Sequence, residues 1–365
     1  MSISLLIPCG AAATPPGDAR PAAAAERPFG ARDLDLDVTP ARDVLALWRQ
    51  SPPSRSTARR IARALPYRTL RGFFFEQFGC AVTEQEVARA LTRPDSGACG
   101  FGLDPAYRER AALAEVVSEI QTRGPELTRQ VASDAARYLP LAPSWQKVRV
   151  WFVIASQTMF DAVTLQTAAA GDSVPLVLVN LSDVLHYGTT ASERVDVLSH
   201  VLAHEVFHAG LREVAPGLPG WAWYRGAPRS GFAFIASAMV DEGVAHYIDW
   251  RGRPGSDSLF TWAPSRRETH SFSQLALACK RLRERSGSVE SRMEVLQLAS
   301  VGPLWSKYGA ISGMFAAYRI EMARGLDALR EAIAAGPEEF LRVYGEVAAG
   351  NPSLSPPPKE LVGRR

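Results

Sequence analysis

Nothing in these 365 residues approaches the run of 18 or more apolar side chains that a membrane-crossing helix needs. An excess of one charge is missing too. Lys and Arg total 41 and Asp and Glu total 38, leaving a formal +3 that is too small and too evenly spread for a nucleic-acid footprint. Lysine itself is scarce: Lys147, Lys280, Lys307 and Lys359 are the four, a bias that we read as codon usage rather than chemistry. Cysteine is equally sparse, at Cys9, Cys80, Cys99 and Cys279. No C-x-x-C occurs, and the wide separations fit neither a zinc ribbon nor a small disulfide scaffold. Isolated, buried or half-buried thiols are the expectation. A Cys80–Cys99 bridge is sterically conceivable and would imply an oxidising compartment. No internal repeat is present.

What is there is ordinary for a globular chain: 47% hydrophobic and 22% charged residues, and enough length for one large domain or two modest ones. Residues 1–34 are rich in Ala, Pro and Gly and read as a disordered leader or linker. The opening "MSISLLIPCG" lacks a positive charge ahead of its short apolar stretch, so it is not a convincing signal peptide as written. It is similar to the tail end of a lipoprotein signal, with small residues after Cys9, although Pro8 stands where that signal wants Gly or Ala. A start further upstream would account for this. The reading tilts slightly toward an exported or cell-envelope protein over a cytoplasmic one, with room for a lipid anchor.

From "DVTPARDVLALW" the pattern turns helical, opening on a Thr-Pro pair that suits a helix start, and residues 35–143 read as an N-terminal helical region. Within it "STARRIARALPYRTLRGFFFEQF" reads as one helical segment. "KVRVWFVI" (147–154) and "VPLVLVNL" (174–181) then read as strands, with "TAAAGDSV" between them as a turn or loop. Thr189, Thr190 and Ser192 offer an N-cap, with Glu193 in the first turn, for a helix running to about Leu211. A Gly/Pro/Trp-rich loop (215–231) leads to a strongly apolar helix over 232–250, and the rest is helical to about residue 349. Residues 350–365 read as a flexible tail. The fold class expected is mainly α with a small mixed β-sheet, with residues 144–349 as a second domain that ends in a helical C-terminal lobe.

The first of those two central helices carries "SHVLAHEVFHAG", in which His204, Glu205 and His208 form H-E-x-x-H. Residues four apart project from one helical face, so His204 and His208 can reach one ion. Glu205 is offset by one position and can reach water at that ion without being a ligand, which is the division of labour a hydrolytic zinc needs. The other positions of the helix are apolar, and burying two imidazoles and a carboxylate there unpartnered would cost several kcal/mol. A metzincin would continue with Gly at 211 and His at 214; Leu211 and Val214 exclude that class. A third ligand is offered by Glu242 in "MVDEGVAHYID", with 33 residues between it and His208 and mid-helix in an apolar segment. Metal ligation would satisfy that carboxylate, as would pairing with an arginine.

The order strand, strand, H-E-x-x-H helix, E-G-x-A-x-Y helix resembles the gluzincin clan of zinc peptidases, and most of all its bacterial zinc-dependent peptidases of undefined substrate. The likeness extends to "DVTPARDVLALW" and "LPYRTLRGF" near the start, and to "YGAISGMFAAYRIEMARGLDALREAI" and "GPEEFLRVYGEVA" near the end, covering most of residues 35–348. The resemblance implies a zincin-like fold and hydrolysis of peptide or protein substrates. It also implies one Zn²⁺ held by His204, His208 and Glu242, Glu205 as general base, and Gly243 permitting close helix packing. Where some gluzincins place an Asp one turn after the ligand Glu to orient the first His, this chain has His246, leaving Asp241 or Asp249 as the acceptor.

For the oxyanion donor that a hydrolytic zinc site usually adds, the resemblance points first to Tyr308 in "YGAISG", where those peptidases carry a similar Tyr-Gly, with Tyr247 and Tyr224 as rivals. His200 reads as a surface or supporting residue rather than a ligand, since three successive turns do not converge on one ion. His246 reads as a packed or hydrogen-bonded residue, and His186 or Tyr187 as loop residues that could touch substrate. Trp221, Trp223 and Tyr224 shape either a pocket or a hydrophobic clasp. Two other readings share these residues: a zinc hydrolase of non-peptide amides or esters, and a non-catalytic cell-envelope binding protein on the same fold. The intact Glu205 argues against the latter.

Overall fold

The computed structural model describes residues 30, 33–97, 99, 101–143, 147–157, 160–165, 174–221, 230–284 and 289–362. It is mainly helical with one small mixed sheet, as expected. The chain divides into two compact units, one of residues 33–132 and 147–205 and the other of residues 133–143 and 206–362.

The first unit opens with a strand that the sequence did not announce, β1 (Leu34–Asp37). Helix α1 (Thr39–Trp48) follows with Pro40 in its first turn, where a missing N–H costs nothing. The single helix expected over "STARRIARALPYRTLRGFFFEQF" is two, α2 (Arg55–Arg63) and α3 (Leu65–Phe78). Pro66 is the cause: its ring cannot continue a helix, and Ala64 turns extended at ψ 148° before the chain restarts. Gly79 ends α3 in the left-handed conformation, φ 64°. α4 (Glu84–Thr92) carries a reciprocal capping box between Thr83 and Glu86. α5 (Asp104–Arg108) and the start of α6 (Arg110–Tyr138) follow.

Cys80 and Cys99 form a disulfide across a sequence separation of 19 residues, so isolated thiols are the wrong expectation for this pair. The α3 C-terminus and the turn at 99 lie close in space, which spacing alone could not say. Cys279 is a free thiol, and burial pushes its pKa up to about 12.

The sheet is β1-β2-β4-β3, from β2 (Val148–Val153), β3 (Ala162–Leu165) and β4 (Leu176–Asn180). β1 and β2 are parallel, β2 and β4 are parallel, and β3 runs antiparallel to β4 along the edge. β4 is buried at every position, and β2 at all but one, which explains their near-continuous apolar sequences. The Asn180 side chain knits the end of β4 together, accepting from Ala155 N–H and donating to the carbonyls of Ser156 and Phe160 and to Asp183. Short α7 (Leu181–Val184) leads to α8 (Ala191–Val214), through which the division between the units passes.

The second unit is built around α9 (Gly231–Arg251), buried continuously from Ile235 to Asp249. α10 (Arg266–Glu284), α11 (Val289–Gln297), α12 (Tyr308–Arg324), α13 (Leu326–Ala335) and α14 (Pro337–Ala349) complete it. α12 lies directly on α9, where a Cβ on Gly243 would sit 2.5 Å from the Cα of Gly313. That backbone-to-backbone approach is the close packing expected of Gly243. The Arg319 guanidinium and the Glu268 carboxylate pair in a buried, two-pronged bridge at 3.0 and 2.6 Å. Beyond α14 the described residues, through 362, form no regular element, yet Leu354 and Leu361 are buried and the Tyr344 hydroxyl donates to the Ser355 carbonyl.

Candidate metal centre

Helix α8 begins as its sequence demands. Glu193 N–H donates to Thr190 Oγ1, and the Glu193 carboxylate accepts from the backbone of Thr189 and Thr190 and the Thr189 hydroxyl. Those donors, the Thr189 hydroxyl first, hold its pKa down at about 2. A carboxylate lowered in the folded state stabilises above its ordinary pKa and is lost as pH falls toward 2, so this cap persists in mild acid.

Ten residues on, the helix is buried on all sides from Val201 to Gly210. His204, Glu205 and His208 are each 0% exposed, as are Asp241 and Glu242 on α9. Donor atoms of His204, His208 and Glu242 lie within 4.8 Å of one another. His208 Nε2 is 3.8 Å from Glu242 Oε1, and His204 Nε2 is 3.9 Å from Glu205 Oε1. Two imidazoles and a carboxylate are a donor set that could hold a zinc ion. Three carboxylates, Glu205, Asp241 and Glu242, stand at zero exposure beside these imidazoles.

The other nitrogen of His208 is spoken for. Nδ1 stands 2.6 Å from Asp241 Oδ1, so Asp241 is the carboxylate that orients this ring and fixes its tautomer. Asp249 instead makes a bond of 2.9 Å to Arg253 Nε. Asp249 also groups with His204 and His246 within 4.8 Å. His246 is 2% exposed, and burial, with the charges of Lys307 and His208 next, lowers its pKa well below the usual imidazole value. A neutral ring there agrees with a packed histidine. We expect Asp241→Asn to weaken zinc binding by about 10- to 100-fold through loss of this orienting bond, measured by competition against a zinc-sensitive dye.

The remaining candidates separate. The Tyr308 hydroxyl donates to the Val295 carbonyl at 2.6 Å, which commits it to the α11–α12 junction rather than to an oxyanion. The Tyr247 ring packs on Tyr138, Phe260 and Tyr318, near Arg251. Tyr224 and Trp223 lie outside the described residues. Trp221 is buried and donates its indole N–H to the Ile333 carbonyl, a clasp between loop and helix. His200 is half-buried and belongs to neither donor group. His186 is exposed, and Tyr187 donates to Asp161 at 2.8 Å.

One partner of the site was not foreseen. Thr164 on β3 places its hydroxyl 2.7 Å from Glu205 Oε2 and 2.8 Å from the Glu205 carbonyl oxygen. The two residues are 41 apart in sequence, and only the β-branched character of "DAVTL" hinted at the strand that brings them together.

Residues 102–353, more than half of the chain, match the model of the family described as "Putative zinc dependent peptidase (DUF5700)". The chain belongs to that family. The match includes β2 to β4, both motif helices and α10 to α14, and leaves α1 to α4 outside. No curated protein and no solved structure matches the chain. The family's name carries zinc dependence and peptidase activity, and the buried donor group on α8 and α9 is one that could hold such a metal.

Proposed function

We propose that this chain is a zinc peptidase of gluzincin type, with one Zn²⁺ held by His204, His208 and Glu242. The observation that carries the reading is the convergence of those three donor sets within 4.8 Å beside the Glu205 carboxylate. When bound, zinc supplies Lewis acidity, making water acidic near neutral pH and polarising a carbonyl. Glu205 takes the proton of the attacking water and returns it to the leaving nitrogen, so that a C–O bond forms as the C–N bond breaks. Asp241 holds the His208 ring through Nδ1, leaving Nε2 as the nitrogen that would bind the ion. Burial of the whole donor set keeps bulk water from competing for it.

The substrate is proposed to be a peptide or protein. Incubation of purified protein with a mixed peptide library should give cleavage that stops with a chelator and returns on adding zinc. Cleavage of ester or non-peptide amide probes with the library left intact would favour the broader hydrolase reading. Tight, stoichiometric zinc with neither activity would favour the binding protein.

A further inference from the structure

The least expected contact at the site is made by an edge strand. Thr164 stands opposite Val177 of β4 and is 5% exposed. A β-branched side chain on a strand has little torsional freedom at χ1, so its hydroxyl is fixed by the sheet. That hydroxyl has one proton and two acceptors in reach, Glu205 Oε2 and the Glu205 carbonyl. The charged carboxylate takes it more strongly. The two oxygens of Glu205 therefore differ: Oε2 accepts from Thr164, whereas Oε1 faces His204 Nε2.

We propose that Thr164 is the positioning residue for Glu205, holding Oε2 so that Oε1 is aimed at the metal site as the oxygen that takes up and returns the proton. This rests on Glu205 acting as the base. A glutamate has three side-chain torsions, and a hydroxyl anchored to the sheet removes that freedom before substrate arrives. The Glu205 carbonyl oxygen, 2.8 Å away, is the second acceptor within reach of the same single proton.

The test uses Thr164→Val and Thr164→Ser in the full zinc-loaded protein. Thr164→Val should keep one zinc per chain and its KM and lose about 10- to 100-fold in kcat, because the donor that holds the carboxylate has gone. Thr164→Ser, which restores the hydroxyl, should recover most of kcat. Independently of activity, a crystal structure of zinc-loaded Thr164→Val should show the Glu205 carboxylate displaced, and that of Thr164→Ser should show it in place. If valine proves too disruptive to fold, Thr164→Ala carries the same comparison. A wild-type kcat in Thr164→Val, equal losses in Val and Ser, or an unmoved carboxylate in Thr164→Val would each overturn the proposal. Full hydrolysis by Glu205→Gln would instead overturn the assignment of the base, while the crystallographic comparison at Thr164 still reads on the contact itself.

Discussion

Glu205→Gln is expected to keep one zinc per chain and to lose hydrolysis by at least about 100-fold in kcat. The amide matches the carboxylate in shape, so the packing of α8 is retained, but it cannot accept the proton of water. General acid–base contributions of about 10²- to 10⁴-fold set the scale of the loss. Elemental analysis and a peptide-cleavage assay on the same sample check both halves. His204→Ala is expected to fail differently, losing metal and activity together. A variant lacking both histidines, His204→Ala with His208→Ala, should bind no zinc. Stoichiometric metal in that protein would refute the ligand assignment outright.

The second large effect is mechanical. A Cβ on Gly313 would collide with the carbonyl oxygen of Met239, and one on Gly243 with the Cα of Gly313 at 2.5 Å. Both obstacles are backbone, so no rotamer change relieves them and α9 and α12 must separate. Overpacking of this kind costs about 1 to 3 kcal/mol where side chains can adjust, and Gly313→Ala should reach or exceed the top of that range. Because Glu242 immediately precedes Gly243, zinc binding should weaken as well. Urea unfolding with and without zinc measures the two effects. Gly345 supplies the control: its added Cβ would meet Pro357 Cγ at an ordinary 3.5 Å. Gly345→Ala, inside helix α14, should be neutral or stabilising by up to about 1 kcal/mol.

The parts of this molecule that the sequence made legible are those governed by local rules. Thr190 and Glu193 announce the start of α8, H-E-x-x-H needs only helical geometry, and the β-branched runs of β2 and β4 identify themselves. What stayed hidden depended on distant partners. β1 and β3 have only four residues each, too few for a period to register, and exist because β2 and β4 offer them edges. The Cys80–Cys99 bridge needed the path of the chain after α3. Asp241 and Asp249 were indistinguishable as partners for the histidines of the motif until α9 set Asp241 against His208 and brought Asp249, which also bonds Arg253, within 4.8 Å of His204. Tyr308 was placed by likeness, and its hydroxyl turns to Val295 instead.

The continuous burial of α9 bears on how the protein can be handled. A helix enclosed from Ile235 to Asp249 has extensive packing that does not depend on the ion it would grip. Unlike a zinc finger, the emptied scaffold should survive dialysis against chelator, so that other divalent metals can be loaded in turn and each tried as the resident ion.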